Sequence, residues 1–65
     1  MINFEYRAGV LEAADTATGR EWCWFKGDAE VVISDDGQNV GTLAVPDGAT
    51  VIEVKALIRK AAKRP

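Results

Sequence analysis

Sixty-five residues allow one domain, residues 1–65, with no room for a second core or a cofactor-binding fold. The chain has no histidine and one cysteine, Cys23, which excludes an intramolecular disulfide, a zinc site built on Cys and His, and Ser-His or Cys-His nucleophile pairs. Its net charge of −2 hides an acidic body, with three basic against nine acidic residues up to Thr50, and a basic tail in which Lys55, Arg59, Lys60, Lys63 and Arg64 face only Glu53.

Glycines at 9, 19, 27, 37, 41 and 48 punctuate short apolar segments, the rhythm of consecutive antiparallel strands joined by tight turns. The first strand, about residues 2–8, alternates Ile2, Phe4, Tyr6 and Ala8 with Asn3, Glu5 and Arg7. Gly9 interrupts it as a bulge or bend, and an extended segment continues over 10–15. After the reversal at Asp15–Arg20 come strands at about 20–26, 29–34 and 39–45, the last two separated by the turn signal Asp35-Asp36-Gly37. Pro46 stops the sheet because it cannot donate to a ladder.

From Thr50 the period changes to that of a helix, about Val51–Lys63. Thr50 and Glu53 have the spacing of a capping box. Val51, Val54, Leu57, Ile58, Ala61 and Ala62 fall on one stripe, with Lys55, Arg59 and Lys63 beside it and Lys60 and Arg64 further round. The fold class is mainly β with one helix (α+β): four to five antiparallel strands curled as a small SH3-like barrel, with the helix closing the end.

The residues offer little chemistry. Ser34 is the only serine, no glycine pattern matches a phosphate-binding loop, and Ser34–Asn39 lacks the alternating ligands and closing glutamate of a calcium loop. The chain reads as non-catalytic, with no cofactor and no metal. No apolar run reaches the length of a membrane span, so the expectation is a soluble, cytoplasmic chain without membrane contact.

The run Glu21-Trp22-Cys23-Trp24-Phe25-Lys26 is the most distinctive stretch. In a regular strand Trp22 and Trp24 share one face while Cys23 and Phe25 share the other, so both faces are apolar. One small core covers one face fully. The other must be covered by a bent neighbouring strand or by another molecule. On that argument the tryptophans either complete the core or form an exposed aromatic pair.

In its order of elements the chain resembles the seven-kilodalton archaeal chromatin proteins, SH3-like barrels with a C-terminal helix that bind duplex DNA. Phe4 and Tyr6 fall in their opening strand. Trp24 and Gly27 fall where that family places a DNA-facing tryptophan and the following turn glycine, and Gly41, Ala44 and Val45 match the strand after the acidic hairpin. The resemblance implies nucleic-acid contacts by Trp24, Lys26, Thr42 and Ala44. The departures are electrostatic: Thr42 stands where the family carries a groove-directed arginine, Glu30 sits on the fourth segment, and Lys26 is the only basic residue between Glu21 and Val54. Affinity for nucleic acid comes mostly from basic groups on phosphates, so such a sheet repels a duplex.

Three functions follow as expectations. The leading one is a protein-interaction module presenting Trp22, Trp24 and Lys26 to a protein partner or to a second copy of itself. The others are DNA binding of the chromatin-protein type, using Trp24, Lys26 and the basic helix, and an acidic mimic of nucleic acid acting as an inhibitor through Glu5, Glu21, Asp28, Glu30, Asp35 and Asp36.

Overall fold

The computed structural model describes residues 1–63, so Arg64, counted above with the basic tail, lies outside the described residues. Five antiparallel strands, β1 (Ile2–Arg7), β2 (Val10–Asp15), β3 (Arg20–Phe25), β4 (Glu30–Asp35) and β5 (Gln38–Ala44), are followed by one helix, α1 (Val51–Ala62). Strand order in the sheet follows chain order, and every pairing joins sequence neighbours.

The sheet is not closed into a barrel: β1 pairs only with β2 and β5 only with β4. The expected closure relied on Gly9 bending one continuous strand. Instead Ala8 and Gly9 both take positive φ, 52° and 79°, between the paired residues Arg7 and Val10. This two-residue reversal has the handedness that matches the twist of the flanking strands. The chain therefore turns back on itself, and the glycine that would have curled the sheet makes a hairpin instead. Asp36 and Gly37 repeat the arrangement between β4 and β5, with φ of 50° and 83°. Val40 is left without a partner where the register of β5 slips against Ile33 and Ser34, a bulge near one edge of the sheet.

The helix begins where its cap signal places it. The Thr50 hydroxyl accepts from the Glu53 amide at 3.2 Å, and the Thr50 amide donates to the Glu53 carboxylate at 2.8 Å, which satisfies two amides left free by helix geometry. Its stripe then packs on one face of the sheet. Val54 and Ile58 are fully buried, in a core with Leu11, Ala13, Trp22, Trp24, Val31 and Val45. Cross-strand partners share a face, so this inner face runs through Phe4, Ala13, Trp22 and Ile33 in one row and through Leu11 and Trp24 in the next.

Candidate functional site

Trp22 and Trp24 lie on the covered face, 3% and 1% exposed. The aromatic pair expected to be presented to a partner is thus the centre of the core. Each indole buries on the order of 200 Å². At about 25 cal/mol per Å² that is roughly 5 kcal/mol of gross apolar burial. Covering the tryptophans therefore gains more than covering Cys23 and Phe25, and the single amphipathic helix is taken up by the larger face. The one polar atom of the Trp24 ring is satisfied there, because its Nε1–H donates to the Asp28 carbonyl at 2.9 Å. No buried side-chain nitrogen or oxygen among the described residues lacks a hydrogen-bond partner.

The opposite, uncovered face is the candidate site. The register builds it in rows: Asn3, Ala14, Glu21, Ser34 and Asn39; then Glu5, Glu12, Cys23, Val32 and Thr42; then Arg7, Val10 and Phe25. Glu30 and Ala44 pair beside the last row. Phe25 is 55% exposed and Val32 38% exposed, and with Val10 and Cys23 they make an apolar strip along the middle strands. Glu5, Glu12, Glu21 and Glu30 surround the strip. A shallow groove of about 410 Å³ runs over this face, lined among others by Glu5, Glu12, Glu21, Cys23 and Ser34.

The electrostatics of the face are one-sided. Glu5 and Glu12 stand directly opposite each other on neighbouring strands, an arrangement of like charges that destabilises a sheet. Arg7 offsets part of this by pairing with Glu5 at 2.7 Å. The Thr42 hydroxyl donates to the Glu30 carboxylate at 3.2 Å. Burial, and then the charges of Glu12 and Asp28, push the Cys23 thiol above its ordinary pKa. Cys23 is accordingly held as the neutral thiol, a small apolar group and a poor nucleophile. Among the described residues no group of three or more Cys, Asp or Glu side chains is placed to hold a metal ion, and no helix is long and apolar enough to cross a membrane.

The residues expected to touch nucleic acid are not brought together. Thr42 and Ala44 are on the open face, Trp24 is on the covered one, and Lys26 sits in the β3–β4 turn. That turn and the Pro46–Ala49 segment border a second hollow of about 450 Å³. The basic helix is partly engaged within the fold: Lys55 Nζ lies 5.7 Å and Arg59 Cζ 4.9 Å from the centre of the Phe4 ring. These are cation–π contacts that fasten α1 to β1. The acidic set also divides. Glu5, Glu21 and Glu30 share the open face, whereas Asp35 binds Arg20 through two hydrogen bonds of 2.8 and 2.9 Å on the helix side of the sheet.

Phe25, Val32 and Glu12 belong to the open face and were missing from the expected site. The signal for Phe25 was present, since strand alternation already separated it from the tryptophans. Glu12 required the β1–β2 hairpin register, which was hidden by reading Gly9 as a bend.

No family model matches this chain, and neither a curated protein nor a solved structure matches it. The fold defines it as a five-stranded antiparallel meander covered on one face by a C-terminal helix. The site is the sheet face that the helix leaves open.

Proposed function

We propose that this protein is a small non-catalytic interaction module that binds a basic protein surface on the open face of its sheet. The observation that carries the reading is the Phe25–Val32 strip, exposed to water and enclosed by Glu5, Glu12, Glu21 and Glu30. An exposed aromatic ring offers contact area at low entropic cost, and such anchors dominate binding energy at protein interfaces. The glutamates add selection by charge. Cations brought against Glu5 and Glu12 would relieve a repulsion the free protein carries, so part of the binding energy is stored in the unbound face. The chain's lack of histidine and the neutral Cys23 thiol support a role without catalysis.

Charge also weighs this reading against DNA. A duplex approaching the open face meets the four glutamates and Arg7, whose guanidinium is already bound to Glu5. The test is titration of the isotope-labelled protein with a lysine-rich amphipathic peptide and, separately, with duplex DNA at low salt. Amide shifts should cluster at Cys23, Phe25 and Val32 with the peptide and vanish in Phe25→Ser. Shifts centred on Lys26 and α1 with DNA, and none with the peptide, would replace this reading by nucleic-acid binding.

A further inference from the structure

We infer that the basic surface taken by the open face includes the outer side of α1 from a second copy of this chain, so that copies stack head to tail. This rests on the reading of the open face as a binding surface. The outer side of the helix carries Ile52, which is 78% exposed, then Ala56, Lys60 and Lys63, all facing away from the core. It is apolar at its start and basic at its end. The open sheet face has the complementary order, with Phe25 and Val10 at one end of the middle strands and Glu12 and Glu21 toward the other.

The dimensions agree. Ile52 to Lys60 spans about 12 Å along a helix axis. Phe25 to Glu21 spans about 13 Å along a strand. Ile52 and Ala56 of one copy can thus rest on the Phe25 strip of the next while Lys60 and Lys63 reach Glu12 and Glu21. Each half of the contact sets apolar surface beside a pair of like charges, Phe25 and Val10 with Glu12 and Glu21 on the sheet, and Ile52 and Ala56 with Lys60 and Lys63 on the helix.

Donor and acceptor surfaces lie on opposite sides of the molecule, because α1 covers the inner face. The contact is therefore heterologous, and repeating it generates chains of copies unless the rotation closes a ring. It is also weak. A twelve-residue helix offers a footprint of about 18 by 10 Å, a small fraction of the roughly 800 Å² per partner of a stable complex. Charge carries much of it, so salt should dissolve it.

Sedimentation velocity over a concentration series, at low and at high salt, tests this. The wild type should pass beyond the mass of a dimer at low salt without a plateau and return to monomer at high salt. E12Q/E21Q and K60Q/K63Q, whose sites are exposed and outside the core, should each be monomeric and folded by circular dichroism. Mixed together they should form a one-to-one heterodimer and stop there, because only one intact junction remains. A wild type that stays monomeric at low salt, or a discrete dimer that survives in either double variant, overturns the proposal. If the wild type is monomeric yet the lysine-rich peptide still shifts Cys23, Phe25 and Val32, stacking fails while the binding face stands. If the peptide also has no effect, both readings fall.

Discussion

On one side of β3, Trp22 and Trp24 lie beneath α1, nearly out of reach of water, and on the other side Cys23 and Phe25, from the same run of four, face outward. The local sequence is apolar in both directions, so hydrophobicity alone does not separate them. What separates them is that the chain supplies a single helix. That helix goes where the buried area is greatest, and the smaller apolar surface is left among glutamates. Among the described residues one covering element completes one face of the sheet, and the other face stays open to water.

The contrast can be broken most directly by cutting each side. Trp24→Ala should cost about 3–5 kcal/mol. A domain of this length has roughly 3–10 kcal/mol in total. Urea titration followed by circular dichroism should therefore show a Trp24→Ala protein that has lost about a third or more of its stability, with its midpoint moved far toward zero denaturant. Phe25→Ser should stay within about 0.5 kcal/mol of the wild type. Equal losses from the two substitutions would erase the distinction between covered and open faces.

Thr50→Ala loosens the covering helix without touching the core, and should lower stability by about 1 kcal/mol in the same titration. On the open face, Glu12→Gln removes one of two opposed carboxylates and should raise stability by a few tenths of a kcal/mol at low salt, the gain fading as salt is added. A destabilised Glu12→Gln would mean that Glu12 is held by attraction within the monomer. The smallest effect belongs to the Arg20–Asp35 pair at the surface. Hydrogen bonds from Arg20, and then its charge, hold the Asp35 carboxyl below its ordinary value. A carboxyl depressed in the folded state contributes stability above the unfolded Asp value of about 3.9 and loses it as pH falls through the lower folded value. Asp35→Asn should therefore lower stability slightly in the neutral range and leave it unchanged once the carboxyl is protonated, so that the loss across that acid window shrinks, as urea titrations at neutral and acid pH would show.

Much of this architecture is legible in the sequence. The capping box fixed the start of α1 because Thr50 and Glu53 have roles that depend only on local spacing, and strand bounds followed from alternation between glycines. Two features were not. Ala8 adopts positive φ, which alanine disfavours, so nothing in its chemistry announced a turn there, and the barrel inferred from a bent strand gave way to an open sheet. The choice of face was also hidden. Alternation sorts residues onto two sides but does not say which side a later helix will cover, and here both candidates were apolar. Thr42 and Ala44 keep their expected strand positions, but Lys26, expected at the end of the strand over 20–26, lies in the turn after β3, and Trp24 points to the covered face.

The strand order has a kinetic meaning. Each strand pairs with its chain neighbour, so the sheet can assemble one hairpin at a time, with little chain to close at any step. The reversals at Ala8-Gly9 and Asp36-Gly37 are two-residue loops, suited to starting such a process from either end. Among the described residues, the docking of α1 over Trp22 and Trp24 and against Phe4 joins distant parts of the chain, and it needs a sheet already in place. Indole fluorescence should therefore follow the last event of folding, after the backbone signal of the sheet has formed.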